Sequence, residues 1–325
     1  MTSRPRFLFP DRGCQCSLAE HAAVEFSAVP TKRHLMTQAL QEERSGTANS
    51  SQILGKPLVP ILRWAGGKRQ IISRLREFCP EDILLRPYCE PFLGAASLYL
   101  RVRPAQALLA DANTHLIEMY RYIRDEPAEV SKQLAELALK DSQEWYYRVR
   151  EEYNNSPASA AQAARFIYLN RTCFNGIFRV NKQGKFNVPY GFRRTPYFPS
   201  PETLLELSEG LSYADLQAGS YLQTLKRAQP GAFVYLDPPY PPLSDTANFA
   251  HYTMDRFNKL DQQALAVAVR DIDRRGCLFM MSNADTDFIR DLYSGYHIES
   301  LSVNRWITCK SKKHAVSEVI ITNYR

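Results

Sequence analysis

The chain has 325 residues, enough to bury a full core and to hold one large domain plus an inserted or appended smaller one. Its 45% hydrophobic and 23% charged residues are those of an ordinary globular protein, and no uninterrupted apolar segment approaches membrane-span length. A formal net charge of +7 favours an anionic partner, with nucleic acid the natural candidate, although simple solubility explains such an excess about as well.

Residues 1–52 mix Pro, Ser, Thr, Arg and Glu with short apolar patches and end in Ser45-Gly46-Thr47-Ala48-Asn49-Ser50-Ser51, the composition of a flexible linker. They carry no charged-then-apolar signal pattern, and the expectation is a poorly ordered extension, with Met36 an alternative start. Of seven scattered cysteines, Cys14 and Cys16 lie close together, but no second pair stands at zinc-site spacing, so neither a metal site nor a disulfide framework is expected.

From Ile53 onward patterned segments follow closely. Arg63-Trp64-Ala65-Gly66-Gly67-Lys68 reads as a loop in which a Trp can close over a ligand and Lys68 supplies a cation; it lacks the glycine spacing of a P-loop. A helix is predicted after Gly67 through Ile71, Ile72, Leu75 and Phe78. A strand near Arg86–Cys89 leads into Glu90-Pro91-Phe92-Leu93-Gly94-Ala95-Ala96-Ser97 and a helix, and a second strand over Ala107–Ala110 ends at Asp111. Small residues between strand and helix admit close approach of a ligand, and an acid at the next strand end can accept from ribose hydroxyls. Ordinary strand–turn–helix packing fits the same spacing equally well.

Residues 114 to about 170 have helical periodicity, with Leu134, Leu137 and Leu139 among the apolar positions. Residues 171–199 break it. There Arg171, Arg179, Lys182, Lys185, Arg193 and Arg194 alternate with Phe174, Phe178, Phe186 and Tyr190 around Gly176, Gly184 and Gly191, which predicts a β-hairpin or loop facing nucleic acid. Arg179 suits bidentate contact with a guanine edge, Asn175 a base contact, and Phe174 a wedge into a base stack. A helix is expected over 202–209, then alternating strands and helices, with a closing hairpin across Lys310–Lys313.

The most informative residues are Asp237-Pro238-Pro239-Tyr240, directly after the apolar run Ala232-Phe233-Val234-Tyr235-Leu236. Two prolines must end that strand and leave a stiff turn. A carboxylate, proline carbonyls and an aromatic ring are thus gathered at the C-terminal edge of a sheet, where open α/β folds bind ligands. Carboxylate and carbonyls accept from an amino group and a tyrosine ring stacks on a flat base, a set suited to the exocyclic amine of a nucleobase. The polar, proline-stiffened stretch over 241–249 reads as a loop over that site.

With these motifs in order, the chain from about residue 60 resembles the Dam-type (D12 class) adenine-N6 DNA methyltransferases, the group that often methylates GATC. The resemblance rests on residues 63–68, 90–97, 110–113, 170–179, 184–191 and 237–240. It implies an α/β Rossmann-like methyltransferase sheet with an inserted helical and β-hairpin target-recognition subdomain. The catalytic domain would comprise 53–113 and 212–325, and the recognition subdomain 114–211. It implies S-adenosylmethionine as cofactor, held at Trp64, Lys68, Phe92, Gly94, Asp111 and Asp237, with Asp215 a further acidic contact near its adenine. Ala96 departs from the family, which usually has a second glycine there. Arg63, Phe174, Asn175, Arg179 and Pro189 would lie at the DNA. An adenine flipped out of the duplex would stack on Tyr240 while Asp237 and the Pro238 carbonyl accept from N6. Double-stranded DNA is the implied partner, the chain a monomer in a bacterial cytoplasm, beside a separately acting restriction endonuclease or without one. Cytosine-N4 or RNA adenine methylation, and a catalytically silent DNA-binding regulator, are the alternative readings.

Overall fold

The computed structural model describes residues 57–240, 257–305 and 314–325, which all fall within one compact unit spanning 32–325. The expectations for residues 1–52, the loop over 241–249 and the turn across 310–313 lie outside the described residues.

Seven strands form one sheet: β1 (Tyr88–Glu90), β2 (Ala107–Asp111), β3 (Ala214–Ala218), β4 (Phe233–Leu236), β5 (Leu278–Ala284), β6 (His297–Arg305) and β7 (His314–Thr322). Their order is β3-β2-β1-β4-β5-β7-β6, parallel from β3 through β5, with β7 antiparallel to both of its neighbours. Every residue of β1 and β4 is buried, as expected of central parallel strands covered on both faces. Tyr88, Phe233, Tyr235 and Met280 enter one apolar core, while Cys89, Val234, Leu236, Phe279 and Met281 enter the other, so strand alternation alone divides the two layers.

The helix expected after Gly67 is shorter than its apolar stripe: α1 spans Ile72–Glu77. Gly67 N–H instead bonds to Trp64 C=O and Ile71 N–H to Lys68 C=O, two tight turns that shape the loop ahead of it. After β1, α2 (Ser97–Val102) begins from Ala96, which is left-handed with φ 57°.

Between β2 and β3 come α3 (Thr114–Asp125), α4 (Pro127–Leu139), α5 (Gln143–Asn155), α6 (Ala160–Thr172) and α7 (Pro201–Leu211). Their starts are marked chemically. The side chains of Asn113, Ser142, Ser159 and Ser200 accept from the backbone N–H groups of Leu116, Trp145, Gln162 and Thr203, and Pro127 and Pro201 stand in first turns. Leu134 is buried and Leu137 packs on the core, but Leu139, at the last turn of α4, is 86% exposed, which corrects its apolar assignment.

Across 171–199 the expected hairpin reduces to two isolated antiparallel bridges, Cys173 with Tyr190 and Val180 with Phe186. The chain closes with α8 (Tyr221–Arg227), α9 (Lys259–Arg274) and α10 (Asp287–Leu292) around β4 to β7. Among the described residues no helix is long and apolar enough to cross a membrane.

Candidate active site

The end of β4 places Asp237 at the C-terminal edge of the sheet, with Pro238 buried behind it and Pro239 exposed. Lys68 Nζ lies 2.6 Å from Asp237 Oδ1 and 2.8 Å from Oδ2, and donates to Gly66 C=O at 2.9 Å. The lysine is 4% exposed and the aspartate 19%, so the ion pair is largely withdrawn from water. Removing one partner from such a pair typically costs about 3–5 kcal/mol, because the other charge is left uncompensated. Ser282 Oγ donates to Asp237 Oδ1 at 2.9 Å, and the Tyr235 hydroxyl lies 3.2 Å from that serine oxygen. Burial pushes the Asp237 carboxyl above its ordinary range; Lys68 and Ser282 oppose the shift, while nearby Glu318 adds to it.

Lys68 and Glu318 both meet Tyr240. Lys68 Nζ sits 4.8 Å from the ring centroid, and the Tyr240 hydroxyl donates to Glu318 Oε2 at 2.8 Å. Glu318 comes from β7 and is 1% exposed.

A second cluster stands on the other side of β1. Both oxygens of Asp111 accept from backbone N–H groups, Oδ2 from Gly94 and Oδ1 from Asn113, each at 2.9 Å. Asp111 therefore folds the 92–97 loop onto the end of β2 while keeping spare acceptor capacity. Burial pushes its carboxyl up, against those two hydrogen bonds. Gly94 has φ 48°, and a Cβ there would come within 2.9 Å of Trp64 Cδ1, so the loop and the indole can meet only over a glycine. Trp64 itself stacks near Phe166 and Phe178, at 6.3 and 6.1 Å between centroids. Phe92 stacks on Tyr221 at 5.1 Å. Beneath both clusters, Glu90 is 2% exposed and accepts from the Tyr88 hydroxyl at 2.7 Å. Burial pushes its carboxyl up to about 8, with Asp237 and Asp111 adding to the shift and the Tyr88 hydrogen bond opposing it. Among the described residues no group of three or more His, Cys, Asp or Glu is placed to hold a metal ion.

Asp215 must be corrected. It sits near the start of β3, in register with Leu108, whereas Asp111 pairs with Ala218 at the other end of the strand. Its carboxylate is engaged by Arg227 at 3.1 Å and Gln217 at 2.7 Å, among residues that begin β1 and β2. The segment of this part of the chain that reaches the site edge is Gly219-Ser220-Tyr221: Gly219 N–H donates to Asp111 C=O at 3.0 Å, and Tyr221 meets Phe92. Ser282 and Glu318 were also not singled out from the sequence.

The basic, aromatic segment divides into two populations. Phe174 is 47% exposed and Ile177, another residue the sequence did not flag, is 39% exposed. Asn175 between them is left-handed with φ 55°. The Phe174 N–H donates to Pro189 C=O at 2.9 Å, and Arg179 is exposed with its Nε on Asn187 Oδ1 at 2.8 Å. Phe178 and Phe186 instead turn inward; Phe186 is 3% exposed, and Phe178 stacks on Phe166 at 5.4 Å. Arg171 is likewise engaged in structure, donating to Tyr197 C=O at 2.6 Å and Ile61 C=O at 3.3 Å. Arg63 is tied through its backbone to Asn170, and its side chain lies over Gly176, where a Cβ would approach within 2.5 Å. Burial lowers the Arg63 guanidinium pKa, Arg193 adding to the effect, and its Nη1 is buried without a hydrogen-bond partner among the described residues.

Comparison with known proteins gives this geometry a context. The family model described as D12 class N6 adenine-specific DNA methyltransferase matches residues 64–307. A type II methyltransferase, M.MjaIII, of Methanocaldococcus jannaschii is 35% identical over 285 residues, covering 82% of this chain and 99% of the relative. A DNA adenine methylase of Vibrio cholerae is 38% identical over 76% of this chain and 89% of its own length. One from Escherichia coli K12 is 34% identical over 82% of this chain and 95% of its own. The family match runs from Trp64 past Tyr240 and takes in β1 to β6, and the chain belongs to the D12 class of N6 adenine-specific DNA methyltransferases, which take their methyl group from S-adenosylmethionine.

Proposed function

We propose that this methyltransferase acts on a flipped-out adenine in GATC duplex DNA, with Asp237, Pro238 and Tyr240 at the reacting amine. The observation that carries the reading is the buried Lys68–Asp237 pair at the end of β4, with the Tyr240 ring 4.8 Å from the same ammonium. Asp237 and the Pro238 carbonyl accept from N6 and orient its lone pair, and Tyr240 stacks on the base. Acceleration then comes from alignment and from preorganised charge, without a protein nucleophile.

The donor set fits the cofactor. Asp111 is an acceptor for hydroxyls, Lys68 a cation for a carboxylate, Phe92, Tyr221 and Trp64 are flat apolar faces, and Gly94 lets the loop close against the indole. S-adenosylmethionine, when bound, supplies an electrophilic sulfonium methyl.

Residues 114–211 form the DNA-facing part and 53–113 with 212–325 the catalytic part. Exposed Phe174, Asn175 and Arg179, with Pro189 behind the turn, are its reading residues, and Arg63 lies beside them. GATC is supported by the resemblance of residues 170–191 to the GATC-methylating group. The reading includes a monomer in the cytoplasm: a single chain brings the described site residues together. The same chemistry serves methylation beside a separate restriction endonuclease and free-standing methylation alike. The test is transfer to a panel of duplexes in which each position of GATC is changed in turn: transfer confined to GATC supports the reading, and equal transfer to every duplex ends it.

A further inference from the structure

We propose that Glu318 is a positioning residue for Tyr240: its buried carboxylate, fixed in β7, holds the phenol hydroxyl and so sets the plane of the ring on which the target base lies. This rests on the reading of Tyr240 given above.

Glu318 lies in a strand whose next residues, Val319, Ile320 and Ile321, are all buried in apolar core. A carboxylate there is costly to bury and is tolerated only with strong hydrogen bonds or a nearby cation. Its Oε2 accepts from the Tyr240 hydroxyl at 2.8 Å. β7 is antiparallel to β5, with Glu318 opposite Ala284, so the acid comes from the strand flanking the Asp237 partner Ser282. Tyr240 itself follows two prolines, which cannot donate to a strand ladder. Among the described residues no strand includes it, and Lys68 near the ring and Glu318 at the hydroxyl both contact it. A ring fixed in this way presents its stacking surface without losing torsional freedom when the base arrives.

The test compares Glu318→Met, Glu318→Gln, Tyr240→Phe, Tyr240→Ala and the Tyr240→Phe/Glu318→Met double variant of the full chain. Methionine keeps the buried volume and removes the acceptor; glutamine keeps an acceptor oxygen. S-adenosylmethionine binding reports that each variant is folded. The expected result is a fall in kcat of about tenfold for Glu318→Met with cofactor affinity unchanged, recovery of most of that loss in Glu318→Gln, and no further loss when Glu318→Met is added to Tyr240→Phe. Wild-type kcat in Glu318→Met, a loss equal in Glu318→Gln, or losses that multiply in full in the double variant would overturn the proposal. Tyr240→Ala separates the two claims. Wild-type transfer there removes the role of Tyr240 itself, whereas lost transfer without coupling to residue 318 removes only the role of Glu318.

Discussion

The Lys68 ammonium bridges both oxygens of Asp237, at 2.6 and 2.8 Å, across 169 residues of sequence. The pair joins the loop before α1 to the end of β4, and the ammonium opposes the rise that burial imposes on the Asp237 carboxyl. Replacing Lys68 with Ala should lower kcat/KM by about a hundredfold or more, with weaker cofactor binding, as measured by steady-state transfer and equilibrium titration. Ser282→Ala, which removes the second donor to Asp237, should lower kcat by roughly tenfold and leave cofactor affinity unchanged.

Gly94 and Ala96 should respond in opposite directions. Gly94→Ala places a methyl 2.9 Å from the Trp64 ring at φ 48°, so cofactor affinity should fall by about tenfold and the melting temperature should drop. Ala96 already holds a left-handed conformation with a Cβ, at φ 57° and fully buried. Ala96→Gly should therefore raise stability by about 1 kcal/mol in chemical denaturation, with cofactor binding preserved.

Glu90 provides a pH signature of folding. Its carboxyl rises from 4.5 to about 8 in the native state, so between those values the folded chain holds a proton that the unfolded chain has lost. The sign follows from linkage: this contribution to stability is fully present below about 4.5 and is lost as pH rises through about 8. Glu90→Gln cannot ionise, so its melting temperature should decline less steeply than that of the wild type across this window, as calorimetry at a series of pH values would show.

At the turn proposed to face DNA, Arg179 is exposed and its Nε donates to Asn187 Oδ1. Arg179→Ala should cost about 1–3 kcal/mol in discrimination against the wrong base pair, a relaxed preference visible in transfer to singly altered duplexes. A residue that touched only phosphates would instead weaken all duplexes alike.

The frame of the site was legible because two prolines must end the buried run before them, and because Trp64, Lys68 and Gly94 stand at tight turns while Asp111 ends β2; the roles of these residues came from the family resemblance. It did not reveal the supports. Ser282 and Glu318 lie 45 and 78 residues from the groups they hold, and a lone Ser or Glu in an apolar strand reads only as a break in pattern. The one available signal was Glu318 beside Val319-Ile320-Ile321, an acid with no local reason to be there. Asp215 was assigned by resemblance alone, which does not show how far the strand runs; β3 continues to Ala218, and Asp215 lies near its start, away from Asp111. In the 171–199 segment, alternation of basic and aromatic residues was visible, but which aromatics face inward depends on packing against Phe166 and Trp64.

The most direct measurement is methyl transfer from labelled S-adenosylmethionine to duplexes carrying GATC, a scrambled site, or GATC already methylated on both adenines, using the wild type and Asp237→Ala. The account predicts label on N6 of the GATC adenine alone, none on the other two duplexes, and none from the variant despite its remaining folded. Label on another atom or another base, or transfer that survives Asp237→Ala at the wild-type rate, would contradict it.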